Sequence, residues 1–305
     1  MYSPYVTSLN YILLLNYNSS QDTINSLARL HTLPQDQYRI AVIDNNSSDN
    51  SLNEILNFLK SQNLKYFKHD NHFDDKKAVF LNIISSKKNL GYGGGNNIIL
   101  KELALKDNCN ALIINPDIIV ENSVIIQAAK KLNEMKEQKV ALGIKALNAQ
   151  DNKCLFYGGH KINFFSGTVS PITNASEEID FISGSFLFTN SQTLSEIGLL
   201  PENYFMYWED ADWCYQLKKA GGKMITIPEL SFLDTQDPTR SSFAQYYYVK
   251  NMLKFLKKHR PACLITAIPL IPIRIGLRIL RGQFSYAAAQ ARALFDFMLY
   301  PIFHK

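Results

Sequence analysis

The chain has 305 residues, 46% apolar and 19% charged, with 32 Lys or Arg against 27 Asp or Glu and a formal net charge of +5. That length suits one large α/β domain or two smaller ones around a well-buried core, and the balance is too weakly basic to imply nucleic acid, fitting instead phosphate-bearing small molecules or an anionic membrane face. Four scattered cysteines, Cys109, Cys154, Cys214 and Cys263, form neither a metal knuckle nor a disulfide framework, so a reducing compartment is expected.

At the amino terminus, MYSPYVTSLNYILLLNYNSS lacks a positively charged region, and its apolar run YILLL is too short for a signal or a membrane span, which points to a cytoplasmic start. In chain order, YILLL (11–15), RIAVI (39–43) and ALII (111–114) are short apolar runs ending in polar turn residues, the pattern of strands buried on both faces. Residues 20–33 place Ile24, Leu27, Ala28 and Leu30 near helical spacing, and the segment starting at Ser51 repeats it with Leu52, Ile55, Leu56 and Leu59. Strand then helix, repeated, predicts an α/β fold with a mostly parallel twisted sheet flanked by helices. Ligands of such sheets bind at the carboxyl ends of the strands.

Those ends are polar: Asn16-Tyr17-Asn18 after the first run, Asp44-Asn45-Asn46-Ser47-Ser48-Asp49 after the second, Asn115-Pro116-Asp117 after the third. Ser47, Ser48 and Asp49 are equally readable as Asx turns and helix caps. Asp44 and Asp117 are less easily explained that way, because a carboxylate at the end of a buried strand is costly unless it binds something. The glycine-rich stretch NLGYGGGNNIILKEL (89–103) reads as a turn into a helix whose first N–H groups could meet an anion. It is no dinucleotide fingerprint, since GYGGGN lacks the final glycine and does not follow the first strand, and no GxxxxGK phosphate loop is present. Further on, ISGSFLF (182–188) reads as a strand, and YFMYWEDADWCYQL (204–217) crowds Glu209, Asp210 and Asp212 among aromatic rings.

In their order and spacing, YILLLNYNS, AVIDNNSSDNS, NLGYGGGNN, LIINPDIIV, FISGSFLF and YFMYWEDADWCYQLKKAGG resemble the successive motifs of inverting family 2 glycosyltransferases, in particular the bacterial rhamnosyltransferase-like and galactofuranosyltransferase-like branch. The resemblance spans residues 11–251. It implies the GT-A fold, with a nucleotide-sugar-binding half over about 1–120, an acceptor half over about 121–250, and residues 251–305 as a helical tail.

By resemblance, Asp44 matches the acid that recognises the pyrimidine base of a UDP- or dTDP-sugar, beside Asn16 and Asn18, with Asn46, Gly91, Asn96 and Asn115 completing the donor site. Asp117 matches the last residue of the family's reduced metal motif, so a divalent cation, Mg²⁺ or Mn²⁺, is the expected cofactor; such hard cations prefer oxygen ligands and share them with a diphosphate. Asp210 matches the general base that deprotonates the acceptor hydroxyl. Glu209 is expected beside it, and Gly184, Trp208 and Asp212 at the acceptor. Of the large apolar side chains here, Phe205, Met206 and Trp213 are assigned to core packing and Trp208 to ligand; Gly184 reads equally as a packing glycine.

In one place the sequence departs from the pattern. Where the family has a metal-binding histidine, FLDTQDPTRSSFAQYYYVKN (232–251) places Asp234, while keeping Tyr246, Tyr247 and Asn251 and substituting Lys250 for arginine. Either Asp234 replaces the histidine at the metal, or the site is weakened, or Arg240 and Lys250 hold the diphosphate. The six histidines show no zinc spacing.

The tail alternates basic residues with apolar runs. PACLITAIPLIPI is at most 13 residues, interrupted by prolines and ended by Arg274, so a full span is not expected. Leu253, Phe255 and Leu256 with their lysines, and the stretch from Ile273 to Ile279 with Arg274 and Arg278, read as helices lying on a membrane surface, or alternatively as a cap on the catalytic domain. The expected partners are a nucleotide-sugar donor, a glycan or lipid-linked oligosaccharide acceptor and a membrane surface, with the protein cytoplasmic or peripheral on the inner face of the membrane. A catalytically weak GT-A binding module, or a sugar-phosphate nucleotidyltransferase, are the competing readings; the second would need a basic glycine-rich loop after the first strand, where NYNSS stands.

Overall fold

A computed structural model describes residues 8–235 and 241–303. Arg240, one expected diphosphate ligand, lies outside the described residues. The elements run β1 (Leu9–Asn16), α1 (Ser20–Leu30), β2 (Tyr38–Asp44), α2 (Ser51–Ser61), β3 (Phe67–Asp70), β4 (Leu81–Ser85), α3 (Gly91–Leu103), β5 (Cys109–Ile114), β6 (Ile118–Ile119), α4 (Asn122–Asn133) and β7 (Val140–Asn148). They continue as β8 (Cys154–Tyr157), β9 (Gly159–Asn163), β10 (Thr168–Pro171), β11 (Phe181–Ile182), β12 (Phe186–Asn190), α5 (Ser191–Ile197), α6 (Glu209–Lys219), β13 (Lys223–Asp234), α7 (Ser242–His259), α8 (Leu264–Leu280) and α9 (Phe284–Phe303).

A ten-stranded sheet has the order β3-β4-β2-β1-β5-β12-β7-β13-β6, with β8 paired to β7, and β10-β9-β11 form a small second sheet. β1 is parallel to both β2 and β5, so Asn16 and Asp44 are side by side and Ile114 ends level with Leu14. Successive residues of β1 serve opposite faces: Tyr11 and Leu13 join the core beneath α3, α6 and α7, while Ile12 and Leu14 join the one beneath α1, α2 and α4. Each such side chain, fully buried, contributes about 1.5–3 kcal/mol, which is why these runs carry no polar alternation.

The expected strand over 182–188 is interrupted. Phe181–Ile182 belong to the small sheet and Phe186–Asn190 to the large one, where β12 runs antiparallel between β5 and β7. The turn at 183–185 that joins them lies beside the end of β5, with the Asn115 N–H donating to the Ser185 carbonyl at 3.2 Å. Similarly, β13 returns along β7 and places Asp234 opposite Ile118.

Two expectations about the tail need correction. α7 runs unbroken across residue 250, and Leu253, Phe255 and Leu256, read as membrane-facing, are fully buried in the core. The packed core therefore extends through α7, whose Phe255 meets Trp208 and Tyr215 rather than a bilayer. α8 likewise continues through Pro269 and Pro272, so residues 261–280 form a helical segment long and apolar enough to cross a membrane, only 11% buried. A proline forfeits one N–H bond and keeps a helical φ, so the helix survives where sequence predicted a break; length and composition alone do not place it in a membrane.

Candidate active site

The polar strand ends form a buried hydrogen-bonded corner. Asn16 Nδ2 donates to Asp44 Oδ1 at 2.9 Å and to Ser47 Oγ at 3.0 Å, and the Ser47 hydroxyl donates to Asp44 Oδ1 at 2.6 Å. Asn18 takes a left-handed φ of 53° and locks the 47–48 turn, accepting from the Ser48 N–H at 2.8 Å. Asn46 is also left-handed and is exposed at the same rim. Asp44 is 4% exposed, so the carboxylate is oriented by its neighbours rather than by water.

Beside this corner a cleft of about 420 Å³ is lined by Leu15, Tyr17, Asn45, Asn89, Gly91, Tyr92, Asn115, Asp117, Phe205, Met206 and Phe243, among others. A cavity of about 560 Å³ opens at the other, amino-terminal end of β5, around Lys106, Asn110 and Lys136; it holds none of the expected site residues. Of the expected donor set, Gly91, Asn115 and Asp117 line the cleft itself. Asn96 does not: it is fully buried in α3 with Nδ2 donating to the Tyr92 carbonyl at 3.0 Å.

The glycine-rich start of α3 is a packing device, which corrects the anion reading. The Leu90 N–H donates to Asn45 Oδ1 at 3.0 Å, the Gly91 N–H to Asn89 Oδ1 at 2.9 Å, and the Tyr92 N–H to the Phe205 carbonyl at 2.6 Å. These N–H groups are already engaged. Gly91 has φ +72°, and a Cβ there would lie 2.2 Å from the Phe205 carbonyl oxygen, so only glycine lets α3 approach the 205 backbone.

The acid pair opens α6. Asp210 Oδ2 accepts from the Gly184 N–H at 3.0 Å and Oδ1 from the Ala211 N–H at 2.8 Å. Burial raises the Asp210 pKa against those two bonds, and it raises Glu209 further, with the Asp210 charge adding to the effect. Glu209 Oε2 is buried without a hydrogen-bond partner among the described residues. Tyr92, which sequence reasoning passed over inside the glycine run, completes the group. Its hydroxyl donates to the Gly184 carbonyl at 2.6 Å. Its pKa is raised well above the ordinary phenol range, by burial first and then by Glu209, Asp210 and Asp117; it therefore stays neutral and keeps its proton to donate. Gly184 thus links the two, with its N–H on Asp210 and its carbonyl on Tyr92.

The segment leading into α6 is strained. Phe205, Tyr207 and Trp208 all have positive φ, at 65°, 63° and 76°, a conformation that costs of order 1–3 kcal/mol each. Asn251 of α7 holds it, donating to the carbonyls of Tyr204 at 2.6 Å, Met206 at 2.7 Å and Tyr207 at 3.2 Å. This twist exchanges the expected aromatic roles. Phe205 and Met206 line the cleft, whereas Trp208 is 3% exposed and packs against Phe255 and Tyr248. Trp213 is core as expected, with its indole N–H on the Gly198 carbonyl at 2.8 Å.

Asp212 is also not at the cleft. Its carboxylate is fully buried and accepts from Lys258 at 2.8 Å, from His259 at 2.7 Å and from Gln216 at 2.9 Å. Burial would raise its pKa, but the bonds from Lys258 and His259 and the nearby Tyr204 hydroxyl bring it below the usual carboxylate range. It ties α6 to α7 and is unavailable to an acceptor; the i, i+3 spacing from Glu209 did not reveal this because the helix presents the two residues to different neighbours.

For a divalent cation the chain offers hard oxygen donors on adjacent backbones: Asp117 at the end of β5 and Asp234, which is paired with the next residue, Ile118. No group of three or more His, Cys, Asp or Glu that could hold a metal occurs among the described residues. Two carboxylates fit a cation that takes its remaining ligands from a diphosphate and water.

No protein-family model matches the chain. It is similar to the low-salt glycan biosynthesis hexosyltransferase Agl10 of Haloferax volcanii, 22% identical over 78% of this chain and 71% of that one, and to the rhamnosyltransferase WbbL of Escherichia coli K12, 24% identical over 56% and 71%. The mannosyltransferase PcManGT of Pyrobaculum calidifontis, solved with GDP-Man and Mn²⁺, superimposes with a TM-score of 0.59 at 11% identity over 97% of this chain and 88% of that chain. S. aureus TarS, solved with UDP-GlcNAc, gives 0.53 at 15% identity over 95% and 81%. The parallel sheet, the corner at its carboxyl edge and these similarities agree: the chain is a glycosyltransferase of the GT-A fold, similar to the rhamnosyltransferase-like members of family 2.

Proposed function

We propose that the enzyme transfers a sugar from a UDP- or dTDP-sugar to a hydroxyl of a glycan acceptor with inversion, in the synthesis of a bacterial surface polysaccharide, working at the inner membrane surface. The observation that carries this reading is Asp210, half-buried, oriented by the Gly184 and Ala211 N–H groups and joined through the Gly184 peptide to Tyr92, which lines the cleft together with Asp117. As the acceptor oxygen forms its bond to the anomeric carbon, its proton passes to Asp210 and the bond to the diphosphate breaks on the opposite face, the leaving group keeping the electron pair. Glu209 sits beside it as a neighbour of the acceptor. Asp44 accepts from the imide N–H of the base. Asp117 with Asp234 would hold a divalent cation, which supplies charge neutralisation for the departing diphosphate. The fold does not set the base, since one solved neighbour holds GDP-Man and another UDP-GlcNAc; the match of Asp44 to the base-reading acid of the resembled family favours a pyrimidine.

Thermal-shift measurements with UDP-, dTDP- and GDP-sugars, with and without Mn²⁺, test the donor reading. At about 100-fold over Kd a bound ligand stabilises by about 2.7 kcal/mol, or roughly 3–8 °C. The rise is expected only with pyrimidine donors and is larger with Mn²⁺; no shift with any pyrimidine diphosphate overturns the reading.

Tyr92 acts as a positioning residue, since it bears on Asp210 only through the Gly184 peptide. Tyr92→Phe leaves the Gly184 carbonyl without its donor and is expected to lower kcat roughly 10-fold with KM for the donor little changed, because a loosened base costs more than a lost contact. It should also move the acidic limb of the pH profile; a lowered kcat with that limb unmoved would mean that Tyr92 merely supports the fold.

A further inference from the structure

α7 carries Lys250, Lys254, Lys257 and Lys258 at i, i+4, i+7 and i+8, one stripe of the helix. They line a second cavity of about 420 Å³ against α9, walled by Tyr204 and Phe297. Lys258 is paired with Asp212. Among the described residues, none of the other three has a carboxylate within ion-pair distance. Lys254 donates to the Asn203 carbonyl, Lys250 to the Tyr246 hydroxyl at 2.9 Å, and Lys257 lies over the Phe297 ring at 5.9 Å. The acid in the cavity, Asp296, is shared between the Tyr246 hydroxyl and Arg292. Burial, then Lys250, lowers the Lys254 pKa against the opposing pull of Asp212, as follows when several ammonium groups are gathered in one partly buried place.

The surroundings state what kind of anion fits. Residues 251–305 contain nine Lys or Arg and one acid, against 23 and 26 in residues 1–250, so the positive charge of the chain resides in the tail. On α9 Phe295 and Met298, and on the neighbouring α8 Ile273, Leu277 and Leu280, are 48–84% exposed. A phosphate answers the lysines, and an attached acyl chain answers the exposed apolar side chains.

We propose that this cavity binds the phosphate headgroup of an anionic membrane lipid and so sets the orientation of the enzyme on the membrane; the proposal rests on the membrane-surface part of the function above. The test is co-sedimentation of the full chain with phosphatidylglycerol–phosphatidylcholine vesicles and with phosphatidylcholine alone. Binding is expected to the first and not the second, and Lys254→Gln/Lys257→Gln should weaken it roughly 25-fold, at about fivefold per basic residue, with an unchanged melting temperature. The charge-matched pair Arg260→Gln/Arg281→Gln, outside the cavity, should lose distinctly less. Equal losses in the two pairs overturn the cavity while leaving membrane association standing; no binding of the native chain to either vesicle overturns both. Displacement of the lysine-dependent part by millimolar inorganic phosphate that alone stabilises the protein equally would assign the cavity to free phosphate instead. Should the double variant melt lower, the exposed Lys257→Gln alone carries the comparison. Donor-sugar hydrolysis in solution is expected to be the same in all variants, which separates this result from a failure of the transferase reading.

Discussion

Asp210→Asn is expected to lower kcat for sugar transfer roughly 10²- to 10⁴-fold, the range contributed by a positioned general base, with donor binding retained. The amide keeps an acceptor oxygen for one of the Gly184 and Ala211 N–H groups and turns its NH₂ toward the other, so a small fall in melting temperature should accompany the variant while the fold is retained. What it removes is the group that takes the proton. The pH profile provides a second measurement. Burial raises the Asp210 pKa, as it does that of Glu209, and the base works only when ionised; kcat/KM should therefore rise with pH along a limb displaced above the ordinary carboxylate range, and be lost below it. Mass-spectrometric product formation with the donor identified by thermal shift gives both numbers. Native-level transfer by Asp210→Asn would remove Asp210 from the chemistry.

The largest expected effect on stability is at Asn251. Three carbonyls of the 204–207 segment depend on its one amide group, and a buried polar atom left unsatisfied costs roughly 1–3 kcal/mol. Asn251→Ala should lose about 3 kcal/mol or more, a fall of roughly 3–9 °C. Asn251→Asp should be worse, since a carboxylate of the same size offers acceptors to three acceptors and adds charge near Glu209. Because the segment holds Phe205, Tyr207 and Trp208 at positive φ, releasing it should also displace Asp210, and kcat should fall by more than the loss of folded protein explains. A melting temperature within a degree of the native value would show that the strained segment holds itself.

Much of the site could be read from residue order. Asp44, Asn16, Asn115 and Asp117 follow apolar runs, and a run buried on both faces must be a strand whose carboxyl end faces the ligand side. Local sequence therefore located the corner and the cleft. It failed where the outcome depended on what lies across the gap. Trp208 and Phe205 are indistinguishable as aromatics next to acids; which one is core is decided by the left-handed turn that Asn251, 43 or more positions downstream, holds in place. Asp212 looked like a member of an acidic cluster until α7 brought Lys258 and His259 onto it. The N–H groups at the glycine run are engaged for the same reason, since Asn45 and Phe205, which take those of Leu90 and Tyr92, lie in segments that no periodicity connects to α3.

The sequence by itself determined the fold class, the strand-end polar residues and the acid pair, because short-range patterning controls which segments are buried and where they stop. Only the tertiary structure decided which face each residue of the opening of α6 presents. It also revealed Tyr92 and Gly184 as the support of Asp210, and it showed α7 to be core, since these depend on contacts between segments far apart in the chain. YFMYWEDADW is one string of acids and rings on paper; folded, it is a turn whose direction is set by one asparagine and one glycine from elsewhere.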